Sequence, residues 1–292
     1  MKIGLNLWTL FGFSYSRKPN LAWALEVAAK IGYNGVELIY DDSVLSPTRI
    51  GFEERKRLRE LSSQLGVEIP SVAAGVFWKY PLSSPDERLR ELGLSYARAG
   101  LELARDLGAE VLLVVAGVAV PEAPYEKLFE YSIESLKALA RYAEDLGVKV
   151  GVENVWSKML YSPLEFKKLL DEVSSEFVGA YLDVGNVVAI GYHEHWLELL
   201  KDRLLMIHVK DFDEKVGGLA GFRHVGHGSI DWKRLITLLR DIGYNGYLVV
   251  ECPPTFYPGL VKPRYPDDGV RAATDNLVSL RRLLSEVGAC QR

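Results

Sequence analysis

Short apolar runs alternate with longer amphipathic stretches from one end of the chain to the other. The runs are Ile3 to Trp8, Gly35 to Ile39, Val67 to Ala73, Glu110 to Ala116, Val148 to Glu153, Val178 to Asp183, Leu204 to Val209 and Tyr247 to Glu251. They are short for helices and too uniformly apolar for half-exposed strands, which is the pattern of parallel strands covered on both faces. Between them the 3.6-residue period predicts helices over Leu21 to Ile31, Phe52 to Leu65, Asp86 to Leu107 and Tyr125 to Leu146. Further helices are predicted to begin near Ser162, Val187, Asp231 and Asp268. Eight successive βα units, with no Pro/Gly/Ser-rich linker and no shift of composition, predict a single (β/α)8 TIM barrel over residues 1–292.

The turns LGVEI, LGAEV, LGVKV and IGYNG mark the helix-to-strand junctions, where glycine supplies a left-handed cap and a strand follows at once. IGYNG occurs twice, at Ile31 to Gly35 and Ile242 to Gly246, and helix capping explains the repeat without duplication. No GxGxxG or GxxxxGK[ST] turn follows a strand, so a nucleotide cofactor has no support.

Composition narrows the function classes. Apolar residues are 48% and charged residues 25% of the 292, enough for one large core. The net charge of −4 offers no field for a polyanion, which excludes nucleic acid as the expected partner. The longest apolar run, Val111 to Val120, is about half of what a bilayer span needs, so no membrane partner is expected. Two cysteines, Cys252 and Cys290, are too few for a disulfide framework and too far apart for a CxxC site, which suits the reducing cytoplasm.

In such a barrel the functional side chains project from the C-terminal ends of the strands. Strand five ends GVEN with Glu153, strand six YLDVGN with Asp183, strand seven carries MIHVKD with His208, and strand eight ends VVEC with Glu251. Three carboxylates at an apolar mouth repel one another, and a divalent cation is the simplest compensating charge. Three oxygens and one nitrogen, with positions left for substrate, suit one Mn2+ ion, or Co2+ or Mg2+, better than a closed tetrahedral zinc site.

The segments GVENVW, YLDVGN, IHVKDF and VVEC, in that order, resemble the xylose-isomerase-like barrel superfamily. The likeness is to its sugar-phosphate isomerase/epimerase branch, which contains D-tagatose/D-psicose 3-epimerases and L-ribulose-5-phosphate 3-epimerases. It implies metal ligation by Glu153, Asp183, His208 and Glu251. It also implies that Glu153 and Glu251 serve as acid and base in epimerising a ketose or ketose phosphate at C3 through a cis-enediolate. Asn186 stands where tagatose-type 3-epimerases carry a substrate-binding histidine, and Met159 where they carry a further glutamate, so their sugar specificity does not transfer directly.

Other residues are candidates for substrate contact. Trp8 and Glu37, at the ends of strands one and two, and Trp156 after Glu153 are expected around the mouth. Asn186 is a substrate contact, the N-cap of the next helix, or both. The loop VGGLAGFRHVGHGS, Val216 to Ser229, carries Arg223, His224 and His227. Arg223 is its best match to the substrate-contacting arginine of the epimerases, with Lys210 and Lys158 as further anion candidates. His193 and His195 in GYHEHW read as a solvated helix surface rather than a metal pair.

The expected partner is therefore a small sugar or sugar phosphate. An aldose–ketose isomerase of the hydroxypyruvate type, a keto-sugar or inositol dehydratase and a non-catalytic sugar binder are the alternatives. The trinuclear zinc chemistry of endonuclease IV needs histidines on early strands, and SVAAG and LLVVAG have none. A homodimer or homotetramer is the expected assembly. The stretch Phe256 to Pro266 is a candidate cap over the site or a subunit contact.

Overall fold

The computed structural model describes residues 1–13, 19–41, 45–46 and 49–288, so Cys290 lies outside the described residues. Eight strands close a parallel barrel: β1 (Lys2–Asn6), β2 (Gly35–Tyr40), β3 (Ser71–Ala74), β4 (Val111–Val114), β5 (Lys149–Glu153), β6 (Val178–Asp183), β7 (Leu204–Val209) and β10 (Tyr247–Val250). The short strands β8 (Asp211–Phe212) and β9 (Phe222–Arg223) pair antiparallel in the loop after β7. β1 pairs with both β2 and β10, so no barrel edge is left open. Strands β2 and β6 are buried at every residue, which is why their sequences are continuous apolar runs rather than alternating ones.

The helices are α1 (Leu7–Phe11), α2 (Leu21–Ile31), α3 (Phe52–Leu65), α4 (Glu87–Leu107), α5 (Tyr125–Leu146), α6 (Pro163–Val173), α7 (Val184–Val188), α8 (His193–Leu200), α9 (Trp232–Asp241) and α10 (Asp267–Glu286). Asp86, Ser162 and Asp231 accept from the first-turn amides of α4, α6 and α9 and fix their starts. Gly108 (φ 78°) and Gly147 (φ 67°) end α4 and α5 in the left-handed conformation, as the LGAEV and LGVKV turns predict. Among the described residues no helix is long and apolar enough to cross a membrane.

Three local departures have clear causes. β1 stops at Asn6 because the Asn6 carboxamide accepts from the Trp8 amide at 2.8 Å, turning the chain into α1. β3 begins only at Ser71, since Pro70 has no N–H to give to a ladder. The helix expected near Val187 is two short ones: α7 starts three residues after Tyr181, with Asp183 as its cap, and α8 follows at His193.

Candidate metal and active site

The pairing register sets four polar side chains around one point. Glu153 and Asp183 end β5 and β6, His208 is one residue from the end of β7, and Glu251 directly follows β10. Asp183 lies opposite His208, and His208 opposite Val249, two residues before Glu251. One ligand atom from each of the four lies within 4.8 Å of the others, and all four residues are buried. Ligand atoms on one ion with bonds of about 2.1 Å are at most about 4.2 Å apart, so a small contraction would let this donor set hold a divalent cation.

The supports are polar residues inside the strands. Glu37 Oε1 accepts from Asn6 Nδ2 and from His208 Nε2, both at 2.6 Å. Its Oε2 accepts from Ser71 Oγ at 2.7 Å and Tyr181 OH at 2.6 Å. The other ring nitrogen, His208 Nδ1, is 2.9 Å from Glu153 Oε1 and 3.8 Å from Asp183 Oδ2. The Tyr181 ring passes Gly151, where a Cβ would sit 3.0 Å from Tyr181 Cδ2, so a side chain at 151 would crowd it. Asn154 completes the frame: its Oδ1 accepts from Asp183 N at 2.7 Å, and its Nδ2 donates to Asp183 O at 3.0 Å.

Charge follows from this geometry. Burial raises the Glu37 pKa, but the His208 charge and the His208, Tyr181 and Ser71 donors outweigh it and hold the carboxyl below its ordinary range. Burial also works against the His208 cation, yet the charges of Glu37 and Glu251 and the bonds to Glu153 and Glu37 lift it well above the usual imidazole value. Glu153 is pushed up to about 7, chiefly by burial and then, against the pull of His208, by Glu251 and Asp183. Lys210 donates to Asp183 Oδ2 at 2.5 Å and to Glu251 Oε2. Burial opposes that ammonium, and Asp183, Glu251 and Glu153 hold it above the ordinary lysine range.

The cluster opens into a cavity of about 460 Å³. Asp41, Glu153, Asn186, Lys210 and Glu251 give its polar lining, and Trp8, Phe13, Trp78, Trp156, Phe222 and Phe256 its aromatic one. Trp156 stacks on Phe222 with centroids 4.9 Å apart and donates from its indole to Asn186 O at 3.2 Å. Trp8 and Trp156 both line this cavity, Trp8 from α1 rather than from a strand. Of the stretch expected as a cap, Phe256 lines the cavity, while Val261 is exposed.

Several expectations are corrected. Glu37 does not line the mouth: it is fully buried and engaged with His208. Asn186 lines the cavity but caps no helix; Asp183 Oδ1 accepts from its amide at 2.8 Å, while Asn186 Nδ2 holds Asn154 O at 2.9 Å. Arg223 is absent from the cavity wall, because its guanidinium turns to Asp213 at 3.3 Å and to the carbonyls of Ala220 and Phe222. Lys158 is exposed and also off the wall, whereas Met159 is buried beside Gly117. The glycine-rich loop wraps a carboxylate of this chain: Asp211 accepts from the amides of Phe212, Gly226 and Ile230 and from the Trp232 indole at 2.7 Å. His193 binds the Val184 carbonyl at 2.8 Å, His227 is exposed, and His224 packs against Asn276.

Sequence reasoning missed Asn6, Ser71, Asn154, Tyr181 and Asp211. A signal existed for the first four, since each is a polar residue within or directly after an apolar strand run. For Asp211 the spacing of two from Val209 shows only that it points away from Lys210.

Comparison with known proteins agrees with this architecture. The L-ribulose-5-phosphate 3-epimerase of Escherichia coli is 25% identical over 234 residues, covering 78% of this chain and 80% of that protein. The structure of D-psicose 3-epimerase with D-tagatose from Clostridium cellulolyticum H10 superposes with a TM-score of 0.80 at 20% identity, covering 97% of this chain and 99% of the other. The IolI protein with a bound zinc atom superposes at a TM-score of 0.79 and 20% identity, over 98% of this chain and 99% of that one. The xylose isomerase-like TIM barrel family model matches residues 25–279, and the chain belongs to that family.

Proposed function

We propose that this chain is a divalent-metal-dependent sugar epimerase that inverts C3 of a ketose or ketose phosphate. The observation that carries the reading is that Glu153 and Glu251 both line one cavity while coming from strands separated by β6 and β7. Inverting a carbon needs a base on one face and an acid on the other, and these two carboxyls flank the same space. The curated relative named for 3-epimerisation of a ketose phosphate supports the substrate class.

Glu153, Asp183, His208 and Glu251 are the residues that would hold the ion, for which Mn2+ is the preferred candidate and Co2+ or Mg2+ the alternatives. When bound, a divalent cation supplies Lewis-acid polarisation of the substrate carbonyl. One glutamate takes the C3 proton, giving a cis-enediolate of the sugar, and the other returns a proton to the opposite face. Trp8, Trp156 and Phe222 offer apolar faces to the sugar carbons and keep water from the carbanionic centre.

The test is incubation of Mn2+-reconstituted protein in D2O with a panel of ketoses and ketose phosphates, followed by NMR. Deuterium at C3 together with the C3 epimer is the expected result. Exchange at C1 with aldose formation would replace this reading by isomerisation, and loss of water by dehydration. Ligand binding with no exchange at any carbon would leave a sugar binder.

A further inference from the structure

We propose that Lys210 is an internal counter-cation of the metal site, holding in the metal-free chain the Asp183 oxygen that a divalent ion takes, and displaced toward the cavity wall when the ion enters. This rests on the metal reading given above and concerns how the site fills.

The competition is for one atom. Asp183 Oδ1 is committed to the Asn186 amide at the start of α7, 2.8 Å away, which leaves Oδ2 to face the cluster. Oδ2 is the Asp183 oxygen that stands 3.8 Å from His208 Nδ1, and it is the oxygen held by Lys210 Nζ at 2.5 Å. The same ammonium holds Glu251 Oε2. An ion drawing Asp183 into the cluster with Glu153, His208 and Glu251 must therefore take Asp183 Oδ2, an oxygen already held by a cation. Two positive charges on one oxygen repel, and the monovalent one is on a flexible stem.

The stem itself is positioned by the backbone. A Cβ on Gly185 would lie 2.5 Å from Lys210 Cγ and 3.0 Å from Lys210 O, so the absence of a side chain at 185 lets the lysine pass close over the α7 turn. The root of the side chain is thereby fixed, and only its outer carbons and ammonium are free to swing. A landing place exists: Lys210 lines the cavity, and Nζ already lies 5.2 Å from the centroid of the Phe222 ring, within cation–π range. The exchange keeps the buried carboxylates neutralised in both states, which avoids leaving them uncompensated before metal arrives. It also turns the ammonium toward the space a substrate oxygen would occupy.

The experiment compares Mn2+ binding by calorimetry in wild type and Lys210→Met, which keeps the stem over Gly185 and removes the charge. The variant is expected to bind Mn2+ more tightly by about tenfold or more, the range in which groups behind metal ligands act. Its metal-free melting temperature falls, and Mn2+ raises it by more than in wild type. In parallel, wild-type protein is treated with an amine-reactive reagent and mapped by mass spectrometry; Mn2+ is expected to raise labelling at Lys210. Equal or weaker Mn2+ binding by Lys210→Met, or labelling that Mn2+ leaves unchanged, overturns the displacement. Should the variant fail to fold, the wild-type labelling decides by itself. Wild type that binds no Mn2+ removes both this proposal and the metal reading, whereas binding that is normal and indifferent to Lys210 removes only this one.

Discussion

Glu37 Oε1 lies 2.6 Å from His208 Nε2, on the edge of the ring away from Glu153, and so commits that nitrogen and leaves Nδ1 facing the carboxylate cluster. A carboxylate behind a ligating histidine fixes the ring and makes it a better donor. Glu37→Gln is expected to weaken Mn2+ binding by roughly 10- to 100-fold in calorimetry. Unchanged affinity would show that His208 does not ligate through Nδ1.

Glu153 and Glu251 are assigned proton transfer, so their amides should uncouple chemistry from binding. Glu153→Gln and Glu251→Gln are each expected to lower kcat by about 10²- to 10⁴-fold. Sugar binding, read by the shift in melting temperature with a substrate ketose, should survive at saturating Mn2+. A variant that keeps full C3 deuterium exchange would exclude its glutamate from the reaction.

His224 predicts a specific loss of stability in acid. The ring is buried, its Nδ1 meets Asn276 Nδ2 at 2.7 Å and its Nε2 has no hydrogen-bond partner among the described residues. Burial, followed by the His227 charge, pushes its pKa down to about 4 from the ordinary 6.5. The unfolded chain therefore binds the proton more readily, and the contribution is whole above about 6.5 and lost as pH falls toward about 4. Between pH 7 and pH 5 this amounts to about 2 kcal/mol of unfolding free energy. Denaturant titrations at the two pH values should show His224→Gln losing less than wild type over that interval by about this amount. Equal losses in the two proteins would mean that His224 is protonated in the fold.

Asp211 organises the loop between β7 and α9 through three backbone amides and the Trp232 indole. Asp211→Ala strips the acceptor from four donors at once and is expected to destabilise the fold by at least about 3 kcal/mol. Denaturant unfolding at neutral pH measures this. A change under about 1 kcal/mol would show that water replaces the carboxylate without loss.

The sequence by itself determined the barrel and the four-residue cluster. Alternation of buried strands with amphipathic helices admits few other closures, and parallel strands bring all their C-terminal ends to one rim, so Glu153, Asp183, His208 and Glu251 could be placed together without knowing any distance. Their neighbours were harder to place. In a strand covered on both faces the apolar pattern does not alternate, so nothing along β2 tells whether Glu37 looks into the barrel or up into the mouth. Only the tertiary structure decided that Glu37 backs His208 and that Tyr181 reaches Glu37 from β6. It also decided that the Lys210 ammonium sits among the carboxylates and that the amides of Phe212, Gly226 and Ile230 converge on Asp211. Each of these depends on inter-strand register and on a loop folding back, contacts between residues distant in the chain that local spacing does not encode.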